Sequence, residues 1–289
     1  MTKANNHYKL NIRTLAFTVV LSLSLVILKT YGWLQTDSLS ILTSLLDSSL
    51  DVIVSLLNAC AVLYAVKPAD SEHRFGHNSI EDIVGLIQAT FIGASGLFIL
   101  FEAAFRISTP TEVLNTGLGI KIMILSIFTT LLIVLYQSVT YRKTKSIVLQ
   151  ADLLHYLSDF LVNLAIIASL YLHNKYAQLD TIIASIIAFY IISAAIKLGR
   201  RAFNNLMDKQ LGEEDIKKIK AIIKKNKDIL GYHALKTRRS GSKKFIQLHI
   251  DLKASLNLEK AHEIADKLER DLMKISPDTE VIVHTDPVK

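Results

Sequence analysis

The chain is 289 residues long and 51% apolar, with a net charge of +7 and one cysteine, and its mean hydropathy of +0.35 is too high for an ordinary soluble domain. The lone Cys60 excludes an intrachain disulfide framework and a cysteine-based zinc site. The positive charge suits a membrane better than a nucleic acid, because many of the basic residues flank apolar stretches.

Crossing a bilayer takes about 20 mainly apolar residues, and six stretches qualify: 12–33, 39–66, 81–107, 117–140, 148–173 and 180–202. The first follows a basic segment, as a signal peptide would. It lacks a small-residue cleavage site and precedes five similar stretches, so it reads as a retained span. Lys3, Lys9 and Arg13 precede the first stretch, and Lys67 and Arg74 lie between the second and third. Arg142, Lys143 and Lys145 separate the fourth from the fifth, and Lys197, Arg200 and Arg201 end the sixth. The alternate loops are nearly free of basic residues, so both termini are expected in the cytoplasm.

Small residues four apart (Gly85, Ala89 and Gly93; Ala184 and Ala188) predict close helix packing. Glu81, Asp82 and Asp180 suit helix N-termini, where negative charge is favourable, and Glu102 is expected to pair with Arg106.

From about residue 206 the chain turns polar. A helix is predicted over Glu213–Asn226, a strand over Tyr232–Arg238, a turn at Ser240–Gly241–Ser242 and a strand over Lys244–Leu252. A helix over Leu258–Ile275 and a strand over Glu280–His284 follow. The expected fold is therefore a six-transmembrane-helix bundle, residues 1–208, followed by a small cytoplasmic α+β domain of order αββαβ, residues 209–289. So small a domain has a modest core and gains from a partner or metal.

Ionisable side chains within the apolar stretches carry the chemistry. Asp47 and Asp51 lie in the second, His155 and Asp159 in the fifth; each costs about 2.5–3.5 kcal/mol in the bilayer by insertion scales. Residues four apart share a helix face, so two adjacent helices would present three carboxylates and an imidazole to one point. That set suits a tetrahedral divalent ion such as zinc. The four contain no cation to neutralise the acids, so a metal or protons must be supplied. Ser55 and Asn163 continue the same faces, as second-shell support, an aqueous path or interhelical hydrogen bonds. Asp70, His73 and His77 after the second stretch form a second candidate set. His233, His249, His262 and His284, with Asp286, form a third that could hold two ions. His262-Glu263-x-x-Asp266 is not the His-Glu-x-x-His of metalloproteases.

Together these features resemble the cation diffusion facilitator family, in its bacterial zinc and ferrous-iron efflux branch. Pro68-Ala69-Asp70, His73-Arg74-Phe75-Gly76-His77, Ala151-Asp152-x-x-His155, Phe245-Ile246-Gln247-x-His249 and His284-x-Asp286-Pro287 carry the resemblance over nearly the whole chain. The resemblance implies a ferredoxin-like tail and a homodimer in the bacterial inner membrane. It implies export of Zn2+, with Fe2+ and Cd2+ as alternatives, by alternating access in exchange for protons. By position, Asp47, Asp51, His155 and Asp159 would form the transport site, and Asp70, His73 and His77 a loop site. His233, His249, His262, His284 and Asp286 would hold a structural or regulatory Zn2+ between cytoplasmic tails. The branch often has a Lys two residues after His77, able to pair with an acid after the sixth span. Here Ser79 stands there while Asp208 remains, so any such interlock must be rebuilt or absent. A membrane metal sensor would need output machinery, and no kinase, cyclase or DNA-binding signature is present. An intramembrane hydrolase would need a general base beyond four ligands. An enzyme is therefore not expected.

Overall fold

The computed structural model describes residues 3–36, 39–106, 117–172, 179–276 and 278–288. Its elements are α1 (Lys3–Thr36), α2 (Leu39–Ala65), α3 (Ser79–Arg106), α4 (Gly117–Thr144), α5 (Ile147–Leu172) and α6 (Leu179–Leu206), then α7 (Glu213–Lys225), β1 (Gly231–Ser240), β2 (Lys243–Lys253), α8 (Leu258–Met273) and β3 (Thr279–Val288). They divide into two compact units, one of residues Tyr8–Ala202 and one of Met1–His7 with Phe203–Lys289.

In the first unit, α1, α2, α3, α4 and α6 are long and apolar enough to cross a membrane, judged over the described residues. Large apolar side chains such as Ile27, Leu34, Phe91, Phe98, Ile186 and Phe189 point outward, as on helices that face hydrocarbon. Leu15, Val62, Val148, Leu149, Ile191 and Leu198 fill the interior. The small-residue stripes work as packing surfaces. A Cβ at Gly93 would lie 3.7 Å from the Ala195 Cβ, one at Gly199 would lie 3.4 Å from the Ala89 Cβ, and one at Gly96 would press to 2.8 Å from Ile192 Cγ1. Helices α3 and α6 therefore approach too closely for larger side chains. Glu81 and Asp82 do begin α3, but both are fully buried, and the Ser146 hydroxyl donates to Glu81 Oε2 over 3.3 Å. They are interior groups, not solvated caps. The side chains of Glu102, Arg106 and Asp180, and His173 as a whole, lie outside the described residues.

The second unit reproduces the αββαβ order. Its sheet runs β1-β2-β3, with β1 antiparallel and β3 parallel to β2. Strand β2 alternates: Ile246, Leu248, Ile250 and Leu252 are buried, and Gln247, His249 and Asp251 point the other way. The buried row packs with Ile219 and Ile223 of α7 and Ile264, Leu268 and Leu272 of α8 in one apolar cluster. Helix α8 starts at Asn257, whose side chain accepts the Lys260 N–H at 2.9 Å. Asp208, in the left-handed region at φ 52°, accepts from Arg238 Nη1 at 3.0 Å, and that guanidinium lies 4.4 Å from the Phe245 ring centroid. The acid after α6 has thus found a cation on β1. The pair is largely exposed and worth only about 0–1 kcal/mol.

Leu248 is 1% exposed at the centre of this core. Leu248→Ala should cost about 2–5 kcal/mol, seen by circular dichroism as an earlier melting step of the purified protein. An unshifted melt would mean that this row does not hold the second unit together.

Candidate metal sites

Along α2, Ser44, Asp47, Ser48, Asp51 and Ser55 recur at three- and four-residue intervals, a polar stripe on an otherwise apolar helix. Helix α5 answers with Asp152, His155, Tyr156 and Asp159. His155 Nε2 lies 2.9 Å from Asp51 Oδ1 and 3.8 Å from Asp159 Oδ2. The ligand atoms of these three residues all fall within 4.8 Å of one another. Asp159 Oδ2 is buried and accepts no hydrogen bond, which is costly for a carboxylate unless a cation or proton satisfies it. Of the four intramembrane candidates the structure brings these three together. Asp47 stands one turn earlier on α2, exposed and outside that group.

The surroundings are polar in a way that the two motifs alone did not reveal. Ser55 contacts the Tyr156 hydroxyl at 2.9 Å, and Asn58 Nδ2 donates to Asp152 Oδ1 at 2.7 Å. Gln137 of α4 donates both to Asp152 and to Thr18 of α1, and Gln88 of α3 to Asn58. Asp152, fully buried, is thus the hub of a network that joins five helices. Among the described residues Asn163 bonds within α5, its Nδ2 donating to the Asp159 carbonyl at 2.8 Å. Lys29 of α1 is the residue that corrects the charge argument. It is 7% exposed, and its Nζ donates to Ser48 Oγ at 2.6 Å and to the Ser44 carbonyl at 3.2 Å. A cation therefore does stand among the acids. Its sequence signal was a lysine inside the first apolar stretch, between Leu28 and Thr30.

Between α2 and α3, Asp70, His73 and His77 form a second group within 4.8 Å. Asp70 Oδ1 accepts the backbone N–H groups of Glu72 (3.0 Å) and His73 (2.6 Å), and these bonds, the His73 N–H first, hold its carboxyl below the usual range. Gly76, at φ 86°, supplies the reversal that returns His77 to Asp70. His77 is buried, with Nδ1 3.4 Å from the Lys67 carbonyl. Its Nε2 lies 3.3 Å from Asp70 Oδ2, so the ring bridges the Lys67 backbone and the Asp70 carboxylate.

The third group follows from sheet register. His233 is the Cα partner of His249, and His249 of His284, so three imidazoles cross the sheet in a row. Ring centroids are 5.0 and 4.6 Å apart. Asp286 Oδ2 lies 2.8 Å from His249 Nδ1 and 3.3 Å from His233 Nε2, and Asp286 Oδ1 lies 3.3 Å from His284 Nε2. The bond from His249 lowers the Asp286 carboxyl pKa, and the other two histidines add to it. Asp251, not expected from sequence, meets His233 Nδ1 at 3.3 Å. Its room comes from Gly231, where a Cβ would sit 2.4 Å from Asp251 Oδ2. His262 does not join this group; on α8 it faces Asp266 at 3.6 Å and is largely exposed. Imidazole nitrogens and carboxylate oxygens at these spacings fit a borderline ion such as zinc.

Comparison with known proteins identifies the family. Residues 15–207 match the cation efflux transmembrane domain family, and residues 211–288 the cytoplasmic domain of cation efflux proteins. The chain is 36% identical to protein p34 of Rickettsia prowazekii, over 98% of this chain and 94% of that one. It is 38% identical to the cation-efflux pump FieF of Pectobacterium carotovorum, over 98% and 95%. A solved metal-bound C-terminal domain of the CzcD transporter from Thermotoga maritima is 27% identical over 26% of this chain and 87% of that one, with a TM-score of 0.25. The paired membrane and cytoplasmic domains and these full-length relatives establish that the chain belongs to the cation diffusion facilitator family, multi-pass cation efflux transporters rather than enzymes.

Proposed function

We propose that this transporter exports Zn2+ from the cytoplasm across a bacterial inner membrane in exchange for protons, with Fe2+ and Cd2+ as further substrates. The observation that most supports this reading is the approach of Asp51, His155 and Asp159 from two helices, with one buried carboxylate oxygen lacking a hydrogen bond. Asp47, one turn away, completes the donor set in at least one state of the carrier. Helix α5, 26 residues long, also crosses the bilayer and brings the spans to six, and both termini are cytoplasmic. The domain division falls at 208/209, and the tail is ferredoxin-like.

Coupling follows from the donors. Metal and protons compete for the same lone pairs, so binding one releases the other. Free histidine titrates near about 6.5, within the range between cytoplasm and a more acidic exterior. A site facing outward exchanges its ion for protons; facing inward, it does the reverse. Alternating access requires only that these two loaded states prefer different conformations.

The chain works as a homodimer. His233, His249, His284 and Asp286, with Asp251 beside them, hold a regulatory ion; His262 joins from α8 where a second ion binds. Asp70, His73 and His77 form a loop site whose carboxylate is preset by backbone N–H groups.

Three measurements test this. In sealed proteoliposomes with an opposing proton gradient, Asp159→Ala should abolish zinc uptake while the dimer remains intact by size-exclusion chromatography; wild-type rates would refute the site. His155→Asp, an all-oxygen set, should weaken zinc relative to manganese in competition assays, and unchanged competition would count against His155 as a ligand. His249→Ala should remove the metal-dependent stabilisation of the dimer while leaving transport at saturating zinc. If metal still stabilises the dimer as before, the tail site lies elsewhere.

A further inference from the structure

Lys29 is a buried ammonium within a membrane-spanning helix, a placement that costs free energy unless it serves a purpose. It is tied across to α2 by Ser48 Oγ and the Ser44 carbonyl, on the stripe that carries Asp47 and Asp51. Asp47 lies beside Ser48 in sequence, and Asp51 follows Ser48 by three residues on the same helix. The hydrogen bonds fix the ammonium beside the acids without its occupying a ligand position, since no carboxylate is its anchor in this arrangement.

We propose that Lys29 is a tethered counter-charge of the transport site, which matches the site to a divalent ion and keeps that ion releasable. This rests on the assignment of Asp47, Asp51, His155 and Asp159 as the transport site. Three carboxylates carry three negative charges. A divalent ion with neutral His155 balances two of them, and the Lys29 ammonium balances the third. The ligand set together with Lys29 is then neutral, the least costly state for a charge cluster enclosed by apolar helices; Asp152 lies outside that set, held by the amides of Asn58 and Gln137. A monovalent ion leaves it negative and a trivalent ion leaves it positive. Without Lys29 the acids attract the ion more strongly. The loaded carrier then holds an uncompensated charge while it reorients and gives up its ion slowly.

The test is the zinc dependence of transport in proteoliposomes of the full-length protein, which reads the transport site separately from the tail. Lys29→Gln, which retains a donor but no charge, should lower the half-saturating zinc concentration about tenfold or more and reduce the maximal rate. Lys29→Arg should keep wild-type values of both, and Ser48→Ala, which removes one of two anchors and leaves the Ser44 carbonyl and the charge in place, should shift them far less than Lys29→Gln. An unchanged or raised half-saturation in Lys29→Gln overturns the proposal. So does a shift in Ser48→Ala equal to that of Lys29→Gln, which would make the role purely structural. If the Gln variant cannot be purified folded, Lys29→Met replaces it. A tenfold departure in Lys29→Arg also overturns the proposal. Asp51→Ala is measured alongside. If that variant transports normally, the site assignment fails; if it is silent while Lys29→Gln matches wild type, only the counter-charge fails.

Discussion

The first unit depends on how α2 and α5 satisfy polar groups that lipid cannot. Hydrocarbon offers no partner, so every polar side chain in these helices must find one inside the bundle. The seam between α2 and α5 collects them: Asp51 with His155, Asn58 with Asp152, Ser55 with Tyr156. Gln137 and Gln88 then bring α4 and α3 to that seam, and Thr18 brings α1. Single hydrogen bonds between membrane helices contribute little, about 0.6–2 kcal/mol each. A connected set with a carboxylate at its hub fixes register, because shifting any helix by a turn would strand several groups at once.

In the second unit the same service is done by the sheet. Antiparallel pairing sets His233 opposite His249, and parallel pairing sets His249 beside His284. The three histidines share a face because β2 must bury Ile246, Leu248, Ile250 and Leu252 on the other. A one-residue slip would expose that row and bury the imidazoles. The apolar core thus enforces the geometry of the polar face, and Gly231 clears the corner where Asp251 joins it. Metal chemistry and folding are tied to one register.

Much of this was legible in the sequence for reasons that can be named. The long apolar stretches carry little ambiguity, so α2 to α6 begin and end within a few residues of expectation. The motifs spaced by four identify which helix faces matter. They do not say which neighbouring helix supplies what, and so Lys29, alone in an apolar stretch, escaped notice. Glu81 and Asp82 open α3 as expected, but charge at a helix start looks the same in sequence whether solvent or protein covers it, and the partner that Glu81 finds in Ser146 is 65 residues away. Asp251 needed the β1–β2 register, and His262 was grouped with the tail histidines by composition although its helix directs it toward Asp266.

The three clusters share donor types and differ in what holds them. Asp70 is fixed by backbone N–H groups of its own loop, and Asp286 by an imidazole on the neighbouring strand. Both carboxyls are thereby preset below the usual carboxylate range. The intramembrane cluster is assembled differently, from side chains on two separate helices, with a carboxylate oxygen left without a hydrogen bond and an ammonium standing nearby. Apart from the His155–Asp51 contact, its donors are held by helix placement. A relative shift of α2 against α5 would take the ligand set apart, which neither of the preset sites permits. If the intramembrane cluster carries the transported ion as proposed, that difference separates a place where an ion rests from one through which it passes.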